Sequence, residues 1–147
     1  MADELALSTL LLSAASTLVG QIHSGTARRG FDDLRPTHGY VFARLAPDGA
    51  TVTDIAEHLG VTKQAASQLV EELVGKGYVE RRPHPSDARA RLIVLTDRGW
   101  ACTRAADAAA TEAVSAWAAV LGPDRIAALV ADLRRIAGRG PLRPATW

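Results

Sequence analysis

A chain of 147 residues with 48% apolar side chains is long enough for one subunit with a buried core and too apolar for wholesale disorder. Its formal net charge of +1 names no partner, so any affinity for a polyanion must come from local clustering. Cys102 is the only cysteine, which excludes an intrachain disulfide and a thiolate-rich metal site and suits a reducing cytoplasm.

Leu7, Leu10, Leu11, Leu18 and Ile22 recur at helical intervals, and this predicts a first helix over residues 4–24. The uncharged run from Leu5 to Gly20 is preceded by Asp3 and Glu4 and interrupted by serine and threonine. It falls short of the roughly 20 residues a membrane span needs, so a packed helix is expected and no membrane partner. Because the helix is apolar on more than one face, it should pack against something beyond its own small domain. Residues 23–35 read as helix end and connection. Pro36 opens a helix carrying Tyr40, Val41, Phe42 and Leu45, and Pro47-Asp48-Gly49 turns the chain.

The stretch from Thr51 to Thr96 is the most informative. Thr53 is placed to cap a short helix over 54–59, Gly60 to make the turn, Val61 to plug it, and Thr62 to cap a second helix reaching Gly75. On that second helix Ala66, Leu69, Val70 and Leu73 follow the i, i+3, i+4, i+7 pattern of a core face. Gln64, Ser67, Gln68 and Glu71 then fall on the opposite face, flanked by Lys63 and Ala65. Residues 78–82 and 91–95 are β-branched and aromatic enough for two strands, and the connection PHPSDARA is too long for a tight turn and should protrude. Thr96 caps a long alanine-rich helix over about 97–120, and Ile126, Leu129, Val130, Leu133 and Ile136 predict a last one. From Gly138 onward a loose tail is expected.

Two short helices followed by a basic hairpin make a winged helix-turn-helix. The predicted fold class is therefore mostly α with a small β-hairpin wing (α+β), with N- and C-terminal helices around it. The expected organisation is an N-terminal helix and connection over 1–35, a DNA-binding lobe over 36–96 and C-terminal helices over 97–147. The major groove, about 12 Å wide, admits a helix, and glutamine, serine and an alanine methyl all have partners on base edges there. Gln64, Ala65, Ser67 and Gln68 are the candidate base readers. Thr37, His38, Thr53, Thr62, Lys63, Arg81, Arg82 and Arg91 are candidates for the DNA backbone. From Arg81 to Arg98 five arginines face only Asp87 and Asp97. Asp87 can brace the Arg89 side chain, which then extends toward a narrow, electronegative minor groove.

The run from Val52 to Gly99, and above all GYVERR…DAR…LTDRG with Asp87, Arg89, Leu95, Thr96 and Gly99, resembles the winged-helix core of the MarR family of bacterial transcription regulators. The resemblance implies an obligate homodimer, with the helices of 1–35 and 97–147 as its N- and C-terminal dimerisation helices, on a pseudo-palindromic double-stranded DNA operator in the cytoplasm, with one recognition helix per half-site and Arg89 in the minor groove. It also implies a regulator, of repressor type, released by a small-molecule effector bound near Arg28, Arg29, His38 and Tyr40. Excess apolar surface on the terminal helices agrees, since dimerising would bury it. The alternatives are a winged-helix protein-interaction module and a thiol redox sensor using Cys102. Salt-dependent binding to duplex DNA separates the first of these from a DNA binder. The histidines at 23, 38, 58 and 84 lack metal-ligand spacing, and no hydrolase, phosphate-loop or dinucleotide motif occurs. No enzyme, no metal and no cofactor are therefore expected.

Overall fold

Helical periodicity and capping residues divide the chain into eight elements in the computed structural model, which describes residues 2–138 and 142. They are α1 (Ala2–Arg28), α2 (Pro36–Leu45), α3 (Val52–Leu59), α4 (Lys63–Gly75), β1 (Val79–Pro83), β2 (Arg91–Leu95), α5 (Asp97–Leu121) and α6 (Pro123–Ile136). The fold is mostly helical with one antiparallel hairpin, as the pattern predicts. Apart from Gly138 and Leu142, the predicted tail lies outside the described residues.

Two compact units share the chain, the first made of the residues up to Leu34 with Ala105–Gly138, the second of residues 35–104. The C-terminal cut falls inside α5 rather than at the start of that helix. Its first turns belong with the hairpin, because Gly99 lies against the strands: a Cβ there would be driven into the Tyr78 carbonyl oxygen and the Leu95 side chain.

In the second unit, α2, α3 and α4 turn Val41, Phe42, Leu45, Ile55, Leu59, Ala66, Val70 and Leu73 into one core, closed by Tyr78, Val79, Ile93 and Leu95 of the hairpin. The Phe42 and Tyr78 rings meet in a tilted pair with centroids 5.7 Å apart. The register aligns Val79 with Leu95, Arg81 with Ile93 and Pro83 with Arg91. Ala50 adds a one-residue bridge to the free edge of β2, exchanging hydrogen bonds with Ile93 at 3.0 and 2.8 Å, a pairing the sequence pattern does not announce.

Capping explains both helix starts of the helix-turn-helix, with one correction. The cap of α3 is Thr51, not Thr53. The Thr51 hydroxyl accepts from the Asp54 amide, and the Asp54 carboxylate accepts from the Thr51 amide at 2.9 Å, a reciprocal capping box. Thr53 lies inside the first turn. The hydrogen bond from the Thr51 amide, above all, holds the Asp54 carboxyl below the usual carboxylate range. Thr62 caps α4 by accepting from the Ala65 amide at 3.1 Å. Between the helices Gly60 adopts φ +70°, a conformation where a Cβ is strained. Val61 does not plug that turn: its amide is drawn back to the Ala56 carbonyl, and the residue is 38% exposed.

In the first unit, α1 runs four residues beyond the predicted end. Gly25, in the stretch that reads as helix end and connection, is instead a contact point within the helix, since a Cβ there would stand 2.6 Å from the Ala109 Cβ. Thr26 is satisfied within the helix by donating to the Ile22 carbonyl at 2.7 Å. At 27 residues α1 is long and apolar enough, by length and composition alone, to cross a membrane, a length the count of its uncharged stretch understates. Ala105, Ala109 and Ala113, four apart on α5, are buried, whereas α6 buries no residue. Leu5, Leu7, Leu10 and Leu12 of α1 and Val130 and Ile136 of α6 remain exposed, Leu5 at 70% and Ile136 at 72%.

Candidate nucleic-acid interface

The outer face of α4 is set by what its inner face must do. With Ala66, Leu69, Val70 and Leu73 buried, helical geometry turns Gln64, Gln68 and Glu71 to solvent, at i, i+4 and i+7. Lys63 is exposed beside them, and Ala65 and Ser67 are half-buried on the flanks. The Thr62 oxygen is engaged by the helix cap, which leaves its hydroxyl proton free to donate.

The wing strands alternate. Val79 faces the core, and two residues on Arg81 follows on the same face, where its guanidinium pairs with Glu71 of α4. Arg82, on the other face, pairs with Glu80 two residues away, with Nε donating at 2.6 Å. Two of the three strand arginines are thus held by carboxylates in the free protein. Arg91 and the loop residue Arg89 are exposed and form no ion pair among the described residues.

Asp87 braces the wing tip, but through the backbone. Its Oδ1 accepts from the Arg89 amide at 3.0 Å, and its carbonyl accepts from the Ala90 amide at 3.2 Å. A carboxylate two residues ahead in a turn meets the nearby N–H before it can reach the long guanidinium, so the predicted Asp87–Arg89 side-chain pair does not form. Asp87 fixes the turn, and the Arg89 side chain is left unengaged by it.

His38 is the main correction among the predicted site residues. It is fully buried, with 0% of its side chain exposed. Nδ1 accepts from the Arg35 amide at 3.0 Å, which makes Nε2 the protonated nitrogen, and Nε2–H donates to Glu72 Oε2 at 3.0 Å. Arg35 joins the same carboxylate oxygen. Burial first, then the neighbouring Arg35 and Lys76 charges, push the His38 pKa down against the opposing pull of Glu72. Hydrogen bonds from Arg35 and then His38 hold the Glu72 carboxyl below its usual range. His38 therefore ties the start of α2 to α4, with its ring enclosed rather than offered to the surface. Its amide is also taken, donating to the Arg35 carbonyl at 3.0 Å. Thr37 and Tyr40 are half-buried beside it.

Of the other residues predicted near an effector, Arg28 and Arg29 belong to the first unit and are engaged there. Both reach Glu112 of α5, Arg29 at 2.7 Å and Arg28 at 3.9 Å, and Arg29 also donates to the Gly25 carbonyl. The Arg29 hydrogen bond, above all, lowers the Glu112 pKa. These contacts tie α1 to α5 within the first unit. Cys102 is buried at 1% exposure. Among the described residues no group of three or more metal-ligating side chains occurs.

Residues 32–90, which contain α2, the helix-turn-helix and most of the wing, match the sequence model of the MarR family. The chain is 34% identical over 79 residues to the HTH-type transcriptional regulator PetP of Rhodobacter capsulatus, a match spanning 54% of this chain and about half, 48%, of that protein. The wild-type MarR of E. coli in its apo form superimposes with a TM-score of 0.73 at 22% identity, over 90% of this chain and 97% of that one. A MepR variant of S. aureus bound to an oligodeoxyribonucleotide superimposes with a TM-score of 0.64 at 22% identity, over 89% and 95%. The structures agree on the fold, and the stretch that carries α2, α4 and most of the wing, residues 32–90, is similar in sequence to the MarR family of transcriptional regulators.

Proposed function

We propose that the chain is a sequence-specific binder of duplex DNA that acts as a homodimer on a two-fold symmetric operator in the cytoplasm, as a repressor that occupies the operator. The observation that carries this reading is an exposed Gln64–Gln68 face beside a wing whose turn is fixed by Asp87 and whose tip arginine forms no ion pair among the described residues. Glutamine amides match adenine edges in the major groove, and an extended guanidinium matches the potential of a narrow minor groove. The DNA-bound MepR variant supports this use of the fold.

Ser67 and Ala65 flank the reading face, and Lys63, Thr62 and Arg91 are assigned to phosphates. Thr53 and Thr37, half-buried near two helix starts, have weaker support. The uncovered apolar residues of α1 and α6 support the homodimer, since patches of that kind on a lone subunit mark an interaction surface. Two-fold symmetry would then set the recognition helices about one DNA turn, roughly 34 Å, apart. Release by a small-molecule effector belongs to the proposal as a family trait.

The test is binding of operator fragments, recovered by mapping bound genomic sites, to two variants. Gln68→Ala should cost about 1–3 kcal/mol on the preferred sequence and relax preference at one base pair. Arg89→Ala should weaken binding while leaving major-groove preference nearly intact. Unchanged operator affinity in both variants would overturn the assignment of α4 and the wing.

A further inference from the structure

Glu71 is an unusual residue for a surface offered to a polyanion. It lies one turn beyond Gln68 and two turns beyond Gln64 on the exposed face of α4, so a carboxylate stands on the reading face itself. Its partner is Arg81. Strand alternation points Arg81 toward α4, its side chain is two-thirds covered, and its guanidinium ends on the Glu71 carboxylate. Arg81 therefore reaches the same face that carries the two glutamines.

Building on the DNA-binding reading above, we propose that the Glu71 carboxylate acts as an internal phosphate mimic, holding Arg81 in the free protein and tuning how strongly the lobe grips DNA without regard to sequence. A guanidinium accepts carboxylate and phosphate oxygens with the same fork of donors, so the two compete for one cation. A DNA backbone phosphate that takes Arg81 must first displace Glu71, so breaking the Arg–carboxylate pair offsets the formation of each Arg–phosphate pair. The latch lowers affinity for any duplex by the same factor, so a site that adds base contacts stays bound at concentrations where random sequence is released.

Counterion release makes this measurable before any operator is identified. Each phosphate neutralised by a new cation steepens the dependence of log K on log salt by about 0.9. The probe is a fluorescein-labelled mixed-sequence duplex titrated over a salt series with the full chain, Glu71→Gln, Arg81→Gln and the double variant. Glu71→Gln should tighten binding by about two- to fivefold, the worth of one exposed ion pair, and steepen the salt slope by up to about 0.9. In the Arg81→Gln background both gains should shrink, leaving only the smaller effect of removing one negative charge.

Equal gains in both backgrounds would mean bulk charge alone and would overturn the latch. Weaker binding by Glu71→Gln would overturn it too, and would mark Glu71 as an acceptor for a base, as carboxylates are for cytosine. If the unsubstituted chain binds no duplex in a salt-dependent way, the DNA-binding reading itself falls. Binding without coupling between the two positions removes the latch alone.

Discussion

His38 shows how a single buried side chain can set the pH response of the lobe. Its ring is enclosed and its neutral tautomer is used at both nitrogens, so the folded state disfavours a second proton and its pKa lies below the ordinary value of 6.5. The unfolded chain then binds more protons than the folded one once pH falls below that value, and stability declines with it. The lowered carboxyl pKa values of Asp54, Glu72 and Glu112 act in the same direction at lower pH, each contribution being lost as pH falls through the folded-state value. Denaturant midpoints measured across pH 4.5–7.5 should therefore fall on the acid side. His38→Gln, which retains a donor and an acceptor, should be less stable at neutral pH yet flatter between pH 5 and 6.5. A variant that follows the parent curve in that interval would remove His38 as the origin of the response.

Elements are stabilised at their ends as much as along their faces. The short helix α3 has only 8 residues, too few to form alone, so its capping box carries unusual weight. Thr51→Ala leaves the Asp54 amide without its acceptor and should cost about 1 kcal/mol, whereas Thr53→Ala should cost a few tenths. Thermal midpoints of the two variants separate the alternatives, and a larger loss at Thr53 would contradict the cap. Sequence spacing alone makes the two threonines interchangeable, because either can precede an amphipathic run. What separates them is the register of the first turn, settled by the Thr51–Asp54 exchange and by Ile55, Ala56 and Leu59 all facing the core.

At the scale of the molecule, the apolar rows of α1 and α6 call for a cover. Side chains 37–72% exposed along these two helices should not stay in water. A second copy of the chain is the simplest cover, and a two-fold pair would present two α4 helices to one operator. Sedimentation equilibrium should return twice the chain mass. Val130→Glu, which places a charge in the exposed apolar row of α6 without disturbing any residue buried within the subunit, should shift that mass toward the single chain. A monomeric parent protein would refute the dimer. A dimer unaffected by Val130→Glu would move the interface to α1 or α5.

Much of this protein is visible in its sequence because much of it is local. Periodicity marks the buried faces of α2, α3 and α4 and the apolar row of α6, Gly60 and Thr62 mark the turn and cap, and the run from Tyr78 to Thr96 marks the hairpin. These features depend on residues within one or two turns of each other. The candidate reading face was legible for the same reason, since the core face of α4 dictates its opposite. What tertiary structure alone decides are the partners of charged and polar side chains, because those bridge separations that no local pattern encodes. Arg81 finds Glu71 ten residues back, His38 finds Glu72 34 residues on, and Arg29 finds Glu112 83 residues on. Those pairings withdraw His38 from the surface, join Arg28 and Arg29 to α5, and set the Arg81 guanidinium on the Glu71 carboxylate. The sequence by itself determined which face of α4 is turned outward, because the core face dictates its opposite; the fold decided which charges around it are paired, because their partners lie far along the chain.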